Sequence, residues 1–374
     1  MSAHLLGLVL SGGGARAAYQ VGVLHHLAER CPELRFPILT GVSSGAINAT
    51  YLAAHRGSLA EATAHLRAAW NGLSLDQVFH TDVFSLTTTA ARWVVALGSA
   101  GTPVVSNVRG LVDTAPLGTF LSRAIDLAGI EENLAASRLR ALALTATSYA
   151  TGEAVTFVQG QPGVPTWRRA MRRGVRAQIT IDHLMASSAI PLVFPAVRID
   201  GDYYGDGALR QTAPLSPAIH LGADRLLAIA VEQSPAQTPS ADVGGDYPPP
   251  ARVIGLLFHS IFLDRLDADV ERLERINALI DALPPGRTPP DGLRKVECRV
   301  IRPSRNVGRM AAQVAHHLPR AVRLLLRGVG AHRTENAGLV SYLMFEQPFL
   351  NQLMGLGYED AAAQWPALAR FLGV

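Results

Sequence analysis

Hydrophobic positions along the chain fall into two alternating patterns. Short apolar runs bounded by glycine, proline or charge read as buried strands, and longer stretches with apolar residues every third or fourth position read as helices. Leu5 to Leu10 is a run of the first kind, Ala15 to Ala28 one of the second, and Phe36 to Thr40 is a further strand followed by a helix-like Ala46 to Ala54. This order opens an α/β unit. Leu139 to Ser148, Ala154 to Gln159, Val197 to Tyr204 and Arg225 to Val231 continue the strand series, with helical patterns between them. Thr114 to Leu127 reads as a helix capped by Thr114, with Pro116 in the first turn, where a missing N–H costs nothing. The pattern predicts a sheet covered by helices on both faces.

Ser234 to Pro250 interrupts the series with Pro235, Pro239, Pro248, Pro249, Pro250 and Gly244-Gly245, which marks a linker. Beyond it, Arg252 to Leu283 is a long amphipathic helix pattern, Val296 to Arg302 a strand candidate, and Met310 onward mostly helical. The expected organisation is an α/β domain over residues 5–231, a linker over 232–251 and a mainly helical C-terminal extension over 252–374.

Composition narrows the class. A chain of 374 residues, 48% hydrophobic and 17% charged, can bury a sizeable core without disulfides or metals, and disorder is excluded as its dominant state. Mean hydropathy is +0.18, yet the most apolar uncharged stretch, Trp93 to Val105, is broken by glycine and proline and too short to span a bilayer. Met1 to Leu10 has no Lys or Arg before its apolar run and leads into Ser11-Gly12-Gly13-Gly14, so no signal peptide is read and a cytoplasmic location, with room for peripheral membrane contact, is expected. Cys31 and Cys298 stand far apart and read as free, buried thiols of a reducing compartment.

Lys+Arg number 34 against 30 Asp+Glu, and Lys295 is the single lysine, so the net charge of +4 is carried by arginine. That excess permits attraction to anionic headgroups and does not indicate a nucleic-acid partner. Arg168, Arg169, Arg172, Arg173 and Arg176 recur at helical spacing beside Trp167, either as a solvated helix face or as a cationic stripe for a lipid surface. Val78 to Val105, rich in Phe, Trp, Val and Thr, reads equally as an apolar cap over a pocket or as a packed insertion.

Two glycine clusters carry candidate chemistry. Gly12-Gly13-Gly14-Ala15-Arg16 lies between a strand and a helix, where successive backbone N–H groups make a site for a phosphate or an oxyanion. Read as a dinucleotide fingerprint it ends at Ala17, but the second strand runs into Gly41-Val42-Ser43 and offers no acidic residue for a ribose, which counts against a nucleotide-dependent oxidoreductase. Gly41-Val42-Ser43-Ser44-Gly45 is instead a G-x-S-x-G between a strand and a helix, the context of a nucleophile elbow, with Ser43 at its centre and Ser44 opening the helix. A tight turn with helix-capping serines is the bland alternative. A serine nucleophile needs a base. Asp206, in the turn Gly205-Asp206-Gly207-Ala208, is a candidate, though the same residues fit an ordinary Asp-Gly hairpin. Among the histidines, His220, His259, His316, His317 and His332 follow Asp206, and His183 is the first to check for proximity to Ser43.

Taken together these residues resemble the patatin-like phospholipase family. The resemblance rests on Gly12 to Arg16, Gly41 to Gly45 and Asp206-Gly207-Ala208 in that order, supported by Ala186-Ser187-Ser188-Ala189-Ile190-Pro191, and covers about Leu5 to Val231. It departs at Ala17, where the family usually has glycine, a difference that bears on helix packing. The resemblance implies a three-layer α/β/α fold with a central, mostly parallel sheet and here a helical C-terminal extension. It implies a Ser43-Asp206 dyad acting on a lipid or phospholipid ester, and an oxyanion hole from Gly12, Gly13, Gly14, Ala15 and Arg16. Gly41 and Gly45 would form the elbow, Gly207 and Ala208 would flank the acid, and neither metal nor cofactor would be required. For Arg16, bracing the loop is favoured over touching a phosphate headgroup. A non-catalytic lipid-binding or scaffold protein on the same fold is the alternative from another class, and the sequence leaves the oligomeric state open.

Overall fold

Alternate side chains along each central strand go to opposite faces of one sheet, as the two-residue period of a strand requires. In the computed structural model, which describes residues 5–80, 110–233, 265–284, 286–319, 322–323 and 337–374, the strands are β1 (Leu6–Leu10), β2 (Ile38–Val42), β3 (Ala141–Ser148), β4 (Ala154–Gly160), β5 (Trp167–Arg169), β6 (Arg172–Arg176), β7 (Val197–Ile199), β8 (Asp202–Asp206), β9 (Arg225–Ile229) and β10 (Glu297–Ile301). Leu8, Leu10, Leu142, Leu144, Leu227 and Ile229 join one buried cluster. Their neighbours Val9, Ala141, Ala143, Leu226 and Ala228 join another on the opposite face.

The sheet runs β10-β9-β1-β2-β3-β4-β6-β5. The block from β10 to β3 is parallel throughout, and β4 turns antiparallel on β3. Helices α1 (Ala18–Arg30) and α2 (Ser44–Ala54), together with Leu59–Gly72, Ala115–Ala124 and Gln347–Ala363, cover the first face. Ser216–His220 and Arg265–Asp281 cover the second. The fold is therefore the expected three-layer α/β/α arrangement, and its C-terminal region is mainly helical and also contributes β10 to the sheet.

One pairing positions the site. β3 has eight residues and β2 five. β2 occupies Ala141 to Thr145, and Ala146 to Ser148 are taken on antiparallel by β8. The register sets Val42 opposite Thr145 and Asp206 opposite Ala146, so β2 and β8 approach from opposite directions and end on adjacent residues of one strand.

Three local expectations are corrected. Val197 to Tyr204 is a hairpin of β7 and β8 rather than one strand, turning at Asp200 (φ 49°) and Gly201 (φ 93°). An Asp-Gly pair favours this two-residue turn because both positions need positive φ. The arginine-rich stretch is also a hairpin: Arg168 pairs with Arg173 and Arg169 with Arg172. Gly174, over which the Trp167 ring lies, and the β-branched Val175 disfavour a helix there, and arginines on the edge strand β5 discourage a further strand from adding. Third, the helix Ala115–Ala124 begins without a side-chain bond from Thr114; Asp113 Oδ1 accepts the Ala115 amide at 2.9 Å instead.

Cys31 and Cys298 are free and half-buried. Among the described residues no helix is long and apolar enough to cross a membrane. Trp93 to Val105, nearly all of the 232–251 linker, the first part of the helix pattern from Arg252, His259 and His332 lie outside the described residues.

Candidate active site

The chain leaves β2 at Val42 and enters α2 at Ser44, and Ser43 absorbs the whole turn with φ 55° and ψ −133°. A residue with a Cβ is strained in this region and stays there only if its surroundings fix it. The fixing is visible on all sides. A Cβ on Gly45 would come within 2.3 Å of the Leu10 carbonyl, and one on Gly41 within 2.4 Å of the Gly45 carbonyl, so both must lack one for the elbow to pack on itself and on β1. The Ser43 amide donates to Ser187 Oγ at 2.9 Å, and that hydroxyl donates to the Thr145 carbonyl at 2.7 Å.

Asp206 ends β8 and is fully buried. Its amide donates to the Ala189 carbonyl at 2.8 Å, and its carbonyl accepts Thr147 Oγ1 at 2.8 Å. The segment Ala186 to Pro191 thus grips both elements, Ser43 through Ser187 and Asp206 through Ala189. Gly207 then crosses close over β3, where a Cβ would sit 2.0 Å from the Thr145 carbonyl, and Ala208 donates its amide to Asp206 Oδ1 at 2.8 Å. Burial pushes the Asp206 carboxyl up to about 7, opposed by hydrogen bonding from the Ser43 side chain and the Ala208 amide. Oδ2 is buried and has no partner of full hydrogen-bond geometry among the described residues. The Ser43 hydroxyl is near enough to act on the carboxyl without meeting that geometry.

The glycine loop runs alongside. A Cβ on Gly12 would lie 2.9 Å from Ser43 Cβ, Gly13 precedes a single 3-10 turn over Gly14–Ala17, and Gly14 has φ 57°. Among the described residues no backbone acceptor takes the amides of Gly12 or Gly13. Ala15 and Ala17 are completely buried, so the alanine after Arg16 fits the core. Arg16 is itself buried: Nε donates to Ser341 Oγ at 2.8 Å, the guanidinium lies 4.4 Å from the Tyr342 ring centroid, and Nη1 is 3.7 Å from Glu232. It braces the loop against the helix Ala337–Leu343.

Several participants are not legible as a motif. Gln20 Nε2 donates to the Ser11 carbonyl at 2.7 Å, Asn48 Nδ2 donates to Gln20 Oε1 at 2.9 Å, and Trp70 Nε1 donates to Asn48 Oδ1 at 2.9 Å. This buried chain ties the root of the glycine loop to α2 and to Trp70. Ser44 Oγ and Ser188 Oγ, both buried beside Ser43, have no hydrogen-bond partner among the described residues.

His183 does not join the pair. Its Nδ1 lies 2.8 Å from Thr180 Oγ1 as part of a helix cap, its ring meets Phe157 edge-on at 4.5 Å, and burial lowers its pKa. His220 stacks on Trp167, and His316 packs on His317. No group of His, Cys, Asp and Glu able to hold a metal ion occurs among the described residues.

Ser43 and Gly14 open onto a cavity of about 720 Å³, counting its open mouth, that runs along α2 past Ile47 to Tyr51 and is otherwise walled by apolar side chains such as Trp70, Leu117 and Phe345.

The family model for patatin-like phospholipases matches residues 8–219. No curated protein matches the chain. Among solved structures, VipD from Legionella pneumophila is 14% identical, with 94% of this chain and 67% of that chain covered and a TM-score of 0.36. Human GIVD cytosolic phospholipase A2 in complex with methyl gamma-linolenyl fluorophosphonate is 13% identical, with 99% of this chain and 58% of that chain covered and a TM-score of 0.45. The chain therefore spans about two thirds or less of the length of these two proteins.

Proposed function

The chain belongs to the patatin-like phospholipase family, and from that membership and the geometry of the site we propose that it is a serine carboxylic ester hydrolase acting on lipid acyl esters through Ser43 and Asp206. The observation that carries the reading is the meeting of β2 and β8 on β3, which sets a strained serine and a buried carboxylate side by side at the head of an apolar cavity.

Ser43 Oγ attacks the ester carbonyl carbon and gives its proton to Asp206. The carbonyl oxygen becomes an oxyanion that the amides of Gly13, Gly14 and Ala15 stabilise, with Gly12 and Arg16 holding the loop in shape. The intermediate collapses, the bond to the alcohol breaks, and Asp206 returns the proton to the departing alkoxide. Water then attacks the acyl-enzyme as Asp206 again accepts a proton, and when the bond to Ser43 Oγ breaks Asp206 returns that proton to Oγ and the fatty acid leaves. A carboxyl raised to about 7 suits this double duty, since a base works best with a pKa near the working pH. The acyl chain occupies the cavity along α2. The catalytic unit is residues 5–231, joined through 232–251 to an extension that supplies Tyr342, Leu343 and Phe345 to the cavity wall. Substrate arrives from a lipid surface met peripherally.

Hydrolysis of a short-chain chromogenic ester and of phospholipid vesicles, by wild type and Ser43→Ala with a chelator present, tests the reading. Turnover by wild type alone is the expected result. Turnover by neither protein, both folded, would favour a lipid-binding protein without catalysis.

A further inference from the structure

The cavity has a second end. Ser44, Ile47 and Tyr51 lie on one face of α2 at helical spacing, and all three line the cavity that starts at Ser43. At its far end Tyr51, Ala124 and Ile125 also line a second, open cleft, whose other walls include His55, Arg56, Glu61, His65 and Asp126. Arg56 pairs there with Asp126 at 2.9 Å. These three residues thus form a partition, with an apolar space holding Ser43 on one side and a charged, solvent-facing cleft on the other.

We infer, building on the lipid hydrolase reading, that Tyr51 with Ala124 and Ile125 sets the acyl chain length this protein accepts. Two turns of α2 separate Ser43 from Tyr51, about 12 Å at the rise of an α-helix. An extended hydrocarbon advances about 1.25 Å per carbon with its ordinary C–C bonds, so the cavity takes a chain of roughly ten carbons. Within it each methylene leaves water for an apolar wall, a gain of about fourfold in affinity per carbon. Further carbons must either displace the Tyr51 ring or enter the charged cleft, and neither route repeats that gain. The preferred substrates are medium-chain acyl esters.

Binding of free saturated fatty acids of about eight to about sixteen carbons, titrated calorimetrically below micelle formation, reads the partition without requiring turnover. Wild type is expected to gain about fourfold per carbon up to roughly ten carbons and then to level off. Tyr51→Phe should keep that break point, Tyr51→Ala should move it several carbons longer, and Ala124→Phe should move it shorter. The inference is overturned if wild-type affinity climbs unbroken to the longest acid, or if Tyr51→Ala and wild type break at the same length. Should Tyr51→Ala fail to fold, an unmoved break point in Ala124→Phe overturns it alone. A protein that shows the predicted break yet hydrolyses no ester would refute the hydrolase reading while the chain-length partition stands.

Discussion

Ser187 takes the backbone amide of Ser43 on its hydroxyl oxygen and gives its own proton to the carbonyl of Thr145, linking the elbow to the strand that also receives Asp206. The link is buried and spans 144 residues of sequence. Ser187→Ala leaves a buried amide and a buried carbonyl without this bridge, a loss of about 1–3 kcal/mol in stability. A misplaced nucleophile lowers kcat by about tenfold to a hundredfold with KM nearly unchanged. Denaturant melts and steady-state kinetics on one preparation check both, and Ser187→Thr, which keeps the hydroxyl, should recover part of the rate.

The strain at Ser43 has its own signature. Ser43→Ala keeps a Cβ at φ 55°, whereas Ser43→Gly removes the conflict. Both should be inactive, and the glycine variant should be the more stable by about 1–3 kcal/mol. Equal melting midpoints for the two would show that the elbow stores no strain.

Asp206 should set the acidic limb of the pH profile. The base must be ionised, burial favours its neutral form, and its pKa is pushed up to about 7. The value of kcat/KM should therefore fall about tenfold per pH unit below that point and level off above it. Stability runs the other way. The folded protein holds the proton more tightly than the unfolded chain, so this stabilisation is complete below the ordinary carboxylate range and is lost as pH rises through about 7. Asp206→Asn lacks the titration, and its melting temperature relative to wild type should rise between acidic and mildly alkaline buffer while turnover is abolished.

His183 is a helix cap and packing residue. His183→Ala should cost about 1–3 kcal/mol of stability and leave kcat within about twofold once folding is matched. A dead but folded variant would reinstate a histidine base.

Legibility followed locality. The turn from β2 to α2 was readable because Gly41, Ser43 and Gly45 are neighbours whose roles are decided within one turn of chain. Two of the Asp-Gly pairs show where local reading stops: Asp200-Gly201 makes the hairpin, Asp206-Gly207 ends the strand at the site, and the antiparallel pairing of β8 with β3 distinguishes them. The arginines from Arg168 to Arg176 misled for a related reason, since a two-residue turn between two arginine pairs leaves Arg168 and Arg172, and Arg169 and Arg173, four residues apart, the spacing of a helix face. Ser341 and Tyr342 carry no motif at all, and their contact with Arg16 is a product of tertiary folding.

That contact has a consequence for the newly made polypeptide. Arg16 and Ser341 are 325 residues apart, and the Tyr342 carbonyl packs where a Cβ on Gly14 would stand. Ser43, Asp206 and every strand up to β9 leave the ribosome well before this brace can form. A growing chain therefore carries Ser43 and Asp206 while its glycine loop still lacks this brace, and on the proposed function it would gain competence to cut lipid only once synthesis has passed the helix that closes over the loop.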